Sequence, residues 1–286
     1  MLRLFTRIFV ILLFCGVTSV ASAALTDGLI SAWTFEGDNV NDLMGNANGK
    51  LVGGAGYSDG MHGRALDVNG VDAYAEIPHH PSMDAMENAF THAVRAYIRK
   101  SGDHGGIMFK GEKVGWGPHF HIRLITSNDT SLSYGSNNIK GAVDGEQEPD
   151  AHNAEGWLNV DSSYELNTWI HMAQVANGQT LQAFLNGAPA DVTWGFHHRS
   201  GMEPVTLTAP YAVFPDHPIY LGTSRGHGGE VDNYKFIDGM IDDVALFDRA
   251  LSADEIAELA NTNLASLTSV EAKSKLVTTW ARLKNQ

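Results

Sequence analysis

Most of the chain is built from short apolar or alternating runs set between glycine-rich turns. Such runs fall at residues 29–35, 73–77, 93–98, 106–109, 120–125, 169–175, 180–185, 219–221 and 240–247. Runs of about four to eight residues at this spacing predict an all-β, two-sheet antiparallel sandwich. The turns agree: Asn69-Gly70, Asn177-Gly178, Asn186-Gly187 and Asp238-Gly239 each offer positive φ at little steric cost. Residues 175–181 read as a hairpin around Asn177-Gly178. One stretch of the domain reads as helical. There Ser252-Ala253-Asp254-Glu255 forms a capping box, and Ile256, Leu259 and Ala260 supply an apolar stripe. Residues 78–87 have room for one further helical turn.

Alternation also sorts side chains between faces. Phe120, Ile122 and Leu124 are expected in the core, with His119, His121 and Arg123 together on the opposite face. Trp169, His171, Ala173 and Val175 share one face, which marks His171 as a hydrogen-bonded core histidine. Asp242, Val244 and Leu246 share another, which places Asp242 at the rim of the core.

The two ends of the chain depart from this pattern. Arg3 and Arg7 precede an apolar stretch over 8–17, and the segment closes on Ala21-Ser22-Ala23. Residues 1–23 therefore read as a cleavable signal peptide, and the protein as secreted, extracellular or periplasmic. The apolar stretch is short of the roughly 20 residues that span a bilayer, so no membrane span is expected in the mature chain. The single cysteine, Cys15, leaves with the signal, so the mature chain has no disulfide, cysteine nucleophile or CxxC-type zinc site. A formal net charge of −14 argues against nucleic acid as a partner, and an apolar content of 43% argues against disorder. Residues 24–262 read as one domain. Residues 263–286 are basic, with Lys273, Lys275, Arg282 and Lys284 against Glu271. Leu276, Trp280 and Leu283 recur at helical spacing there, so this tail reads as a short amphipathic helix docked on the acidic body, the alternatives being a flexible tail or a segment that binds a protein partner or tethers to a surface.

Residues 29–78 run LISAWTFEGDNVNDLMGNANGKLVGGAGYSDGMHGRALDVNGVDAYAEIP, and residues 236–259 run FIDGMIDDVALFDRALSADEIAEL. Together with residues 167–187 as a central hairpin, these segments resemble, in order and spacing, the LamG-like jelly-roll family of the concanavalin A-like lectin/glucanase superfamily. The resemblance implies a jelly-roll sandwich whose terminal strands lie close together, and often a structural calcium joining first and last strands.

Two sets of residues carry candidate chemistry. The acidic loop with Glu36, Asp38, Asp42 and Asn46 offers oxygens for Ca²⁺, which takes 6–8 of them, and Asp242 is the expected contribution from the last strand. The alternative is that Asp42 and Asp242 accept backbone N–H bonds in turns. The second set is Trp116, His119, His121, Arg123, Trp157, Trp194 and His197. Tryptophan faces can stack a sugar ring while His and Arg read its hydroxyls. His119 and His121 could instead join a further ligand around Zn²⁺, or this face could be a polar, solvated sheet surface. A glucanase needs paired carboxylates across a cleft. The nearest candidates, Asp144, Glu146 and Glu148, lie between Gly145 and Pro149 in a loop.

The expectation is a non-catalytic recognition module for a glycan or cell-surface polymer, with a structural calcium. The alternatives are a protein–protein adhesion or structural module and, more distantly, a polysaccharide hydrolase or lyase.

Overall fold

The computed structural model describes residues 24–100, 104–111, 119–124, 132–137, 155–160, 164–194, 200–201, 205–206, 209–225 and 234–267. The expected signal peptide, the loop holding Asp144, Glu146 and Glu148, and most of the basic tail lie outside them.

In chain order the strands begin with β1 (Leu29–Trp33), β2 (Lys50–Val52), β3 (Gly56–Asp59), β4 (Arg64–Asn69) and β5 (Tyr74–Ile77). A 3₁₀ segment at Pro81–Glu87 fills the predicted extra turn. Then come β6 (Phe90–Lys100), β7 (Gly106–Gly111), β8 (His119–Leu124), β9 (Leu132–Asn137) and β10 (Glu155–Val160). Next are β11 (Trp169–Ala176), β12 (Thr180–Leu185), β13 (Ala188–Pro189), β14 (Val192–Trp194), β15 (Ser200–Gly201) and β16 (Val205–Thr206). The chain closes with β17 (Ile219–Leu221), β18 (Thr223–Ser224), β19 (Lys235–Phe236), β20 (Asp238–Phe247) and helix α1 (Ala253–Leu259).

The spacing predicts a two-sheet sandwich, and among the described residues two nine-stranded sheets form it. The first has the order β13-β12-β11-β6-β20-β4-β3, with β1 beside β20 and β16 beside β12. The second runs β15-β14-β10-β9-β8-β7-β17-β5-β2. The ladders are antiparallel, and β1 pairs with β20, so first and last strands are neighbours.

Two apolar layers hold these sheets. The larger lies between them. Trp33, Leu66, Val94, Ile98 and Val244 meet Met108, Phe120, Ile122, Leu124, Ile219 and Leu221 there. The smaller covers the outer face of the first sheet, where Ala93, Ala173, Phe184, Ala245 and Phe247 lie under Leu251, Ile256, Leu259 and Leu264. The first sheet is therefore covered on both faces, and β6, β11 and β20 are buried along most of their length. His171 lies in this smaller layer, and burial pushes its imidazole down to about 3, with Arg95 as a second cause.

Local signals explain the ends of several elements. Ser252 and Glu255 form the predicted capping box, which starts α1. The β11–β12 hairpin turns at Gly178 (φ 92°), and Asn177 Oδ1 accepts from the N–H groups of Gln179 and Thr180. Two expectations are corrected. Asp238-Gly239 is the start of β20 rather than a turn, and glycine is needed because a Cβ at 239 would lie 2.3 Å from Tyr97 O. The alternation along β20 is also broken. A bulge centred on Asp243 (φ 47°) shifts the register, so Ile241 rather than Asp242 joins Val244 and Leu246 in the core.

Candidate functional site

Register places one row of residues straight across the second sheet. Lys50 of β2 pairs with Glu76 of β5, Glu76 with Tyr220 of β17, and Tyr220 with Phe109 of β7. Phe109 pairs with His121 of β8, His121 with Gly135 of β9, and Gly135 with Trp157 of β10. Neighbours of this row such as Ala75, Ile77, Ile122 and Leu221 pack into the main core, so Tyr220, Phe109 and His121 lie on the outer face.

Aromatic rings gather at one end of this face. Tyr74 lies 5.8 Å from Tyr220 and stacks on Tyr234 at 6.0 Å, while Tyr234 stacks on Phe236 at 5.9 Å with only 15° between planes. Phe109 extends the cluster, 6.4 Å from Tyr220. The Arg225 guanidinium sits 5.9 Å from the centre of the Tyr234 ring, within cation–π range. Glu76 is neutralised by Lys50 at 2.9 Å. Tyr74, Tyr234, Phe236, Glu76 and Arg225 are partly exposed, whereas Tyr220 and Phe109 are buried beneath them. Burial raises the phenols of Tyr74 and Tyr220 above their ordinary value, so both keep a hydroxyl able to donate.

Of the sugar-site residues expected from sequence, His119, His121, Arg123, Trp157 and Trp194 lie on strands of this second sheet. His121 and Arg123 occupy the outer face as alternation requires, but they are buried at 1% and 7% exposure, not solvated. Trp157 shares the row of His121 by register, while Trp194 pairs with Leu158, one position off that row. His119 pairs with Gly111, one step beyond the row at the strand end. Trp116 and His197 lie outside the described residues. Tyr74, Tyr220, Tyr234 and Phe236 were missed. The usable signal was alternation in residues 73–77, which sets Tyr74 and Glu76 opposite the core residues Ala75 and Ile77.

The expected calcium ligands each accept or donate hydrogen bonds within the protein. Asp42 is saturated by backbone donors: Oδ1 accepts from the N–H groups of Ala32 and Met44, and Oδ2 from those of Asn46 and Ala47. Asn46 turns its side-chain amide to Ile30 O. Glu36 accepts from Arg64 N, and Asp38 from Arg64 Nε at 2.8 Å. Asp242 accepts from the N–H groups of His62 and Asp243. Among the described residues no three His, Cys, Asp or Glu side chains are grouped to hold a metal ion.

Next to Asp242 lies Asp243, whose carboxylate is buried. Its Oδ2 is 3.5 Å from Arg95 Nε and 3.9 Å from His62 Nε2. Burial pushes Asp242 up to about 6 and Asp243 up to about 7, the latter reinforced by Asp242. Arg95, only 1% exposed, donates through Nη2 to Leu259 O and Thr262 O, both at 2.8 Å.

Residues 69–257 match the family model of the concanavalin A-like lectin/glucanases superfamily. The chain belongs to that superfamily. Solved structures with this lectin-like sandwich are distant in sequence. Domain 4 of AbnA, an extracellular arabinanase of Geobacillus stearothermophilus solved with arabinotriose, is 17% identical with a TM-score of 0.53. That alignment covers 81% of this chain and 98% of the domain. The binding domain of botulinum neurotoxin DC, solved in complex with SialylT, is 14% identical with a TM-score of 0.55 over 85% of this chain. The binding domain of paraclostridial mosquitocidal protein 1 is 16% identical with a TM-score of 0.57 over 83% of this chain. The chain spans about half the length of these two toxin domains, 52% of each. No curated protein matches it by sequence. Among the described residues of this lectin-like chain, no helix is long and apolar enough to cross a membrane.

Proposed function

We propose that this lectin-like sandwich is an exported, non-catalytic module that recognises carbohydrate on the outer face of its second sheet. The observation that carries the reading is the half-exposed cluster of Tyr74, Tyr234 and Phe236 over buried Tyr220, with Arg225, Glu76 and Lys50 at its edge. The apolar face of a pyranose or furanose ring stacks on such rings. Its hydroxyls are then read by fixed polar groups, here the phenols, Arg225 and the Lys50–Glu76 pair. Tyr74 and Tyr220 are pinned by strands whose other face is core, so little ordering entropy is lost there on binding. Two structural neighbours were solved with glycans, arabinotriose and SialylT, which supports the same reading for this fold.

The test is a glycan-array screen of the full chain, followed by titration of the best responder against the wild type and Tyr74→Ala. Retention lost in the variant with its melting temperature kept is the expected result. A chain that binds no glycan, or a variant that binds as well as the wild type, rejects the proposal. Export is tested separately by the mass of the protein recovered outside the cytoplasm, which should lack residues 1–23.

A further inference from the structure

A buried carboxylate must be neutralised by a proton, a metal ion or a basic side chain. Where the last strand closes this sandwich, the basic side chain is already in place. Arg95 projects from β6 onto the outer face of the first sheet and faces Asp243 of β20 at 3.5 Å. The same guanidinium ties down the end of α1 and the chain beyond it through Leu259 O and Thr262 O. Asp242, next to Asp243, is held by the N–H groups of His62 and Asp243 itself. We propose that Arg95 is the resident cation of this closure, so that the sandwich folds without calcium.

Two observations carry this. The oxygens expected to ligate an ion are engaged elsewhere: Asp42 accepts four backbone N–H groups, Asp38 accepts from the Arg64 guanidinium, and Glu36 accepts the backbone N–H of Arg64. The buried carboxylate of Asp243 faces, at 3.5 Å, a guanidinium that is itself almost fully buried. A divalent ion placed on Asp243 would stand within a few ångströms of that fixed positive charge, at a low-dielectric site where like charges repel strongly. A guanidinium also does what a spherical ion in a carboxylate cage does not. Its planar fork joins β6, β20 and the segment after α1 at once.

The experiment uses the full chain, assayed for bound metal and unfolded thermally with excess EDTA and with saturating calcium. The expected result is sub-stoichiometric calcium and a melting temperature constant to about 1 °C. A stoichiometric ion, or a saturable shift of several degrees with calcium, overturns the proposal. Arg95→Met strands Asp243 and is expected to lower the melting temperature by roughly 10 °C. Arg95→Met/Asp243→Asn removes both charges and is expected to recover a good part of that loss. No loss in the single variant, or a double variant no better than the single, also overturns it. Should the single variant fail to fold, a folded double variant is itself the expected recovery, and an unfolded one overturns the proposal.

Discussion

Asp42 is the place where one carboxylate does most for the fold. Its two oxygens accept from Ala32 N at 2.8 Å, Met44 N at 3.0 Å, Asn46 N at 3.1 Å and Ala47 N at 3.0 Å. Asp42→Ala removes all four acceptors. Met44 and Asn46 are exposed, and their N–H groups can turn to water at small cost. Ala32 and Ala47 are 0% and 1% exposed, so their N–H groups are stranded, at about 1–3 kcal/mol each. Adding the lost charge-assisted bonds gives a destabilisation of about 4 kcal/mol, or roughly 8–16 °C for a domain of this size. Asp42→Asn keeps one oxygen and turns an NH₂ toward two donors, so about half that loss is expected. The assay is urea unfolding followed by fluorescence. Trp33 is fully buried beside the loop and donates from Nε1 to Ala47 O, so it should report the change. A loss for Asp42→Ala below about 1 kcal/mol would refute the reasoning. So would a loss seen only with calcium present, since that would make Asp42 a metal ligand.

His92 lies in the main core between Phe90 at 4.2 Å and Phe120 at 4.3 Å, and burial pushes its imidazole from 6.5 down to about 3. The unfolded chain therefore takes up a proton below pH 6.5 that the folded chain refuses until about pH 3, so this stability is present above 6.5 and is lost as the pH falls. His92→Phe should flatten the acid limb of a pH-stability curve by about 1.4 kcal/mol per pH unit, and parallel limbs for variant and wild type would contradict the assignment. Gly63 has φ 88°, and a Cβ there would lie 1.9 Å from Glu36 Oε1. Gly63→Ala must displace Glu36 from Arg64 N and strain the turn, for an expected loss of about 1–3 kcal/mol by urea midpoint, with no shift as the contrary result.

The parts of the molecule that follow local rules were legible. The capping box at Ser252 and the hairpin at Gly178 depend on a few adjacent residues, and alternation alone sorted Phe120, Ile122 and Leu124 into the core. Failures came where distant segments meet. The bulge at Asp243 reverses the parity on which the placement of Asp242 rested, and nothing in residues 240–247 announces it. Arg95 stands inside the apolar run of residues 93–98 and carries no expectation. Only the packing of α1 and Leu264 over the outer face of the first sheet makes it a buried cation. The aromatic face draws Tyr74 from β5, Tyr220 from β17 and Phe236 from β19, so no local window contains it. The tryptophan and histidine clusters are local in sequence, but within them His121 and Arg123 are buried.

The most direct test of carbohydrate recognition on this face is a calorimetric titration of the glycan that responds best on the array. Wild type, Tyr74→Ala and Tyr234→Ala should be compared at matched, verified folding. Loss of one stacking ring should weaken binding by about tenfold in each variant, on the order of 1–1.5 kcal/mol. Melting temperatures should stay within a few degrees, because both rings are partly exposed. Undiminished affinity in both variants would contradict the account and move the binding face elsewhere on the sandwich.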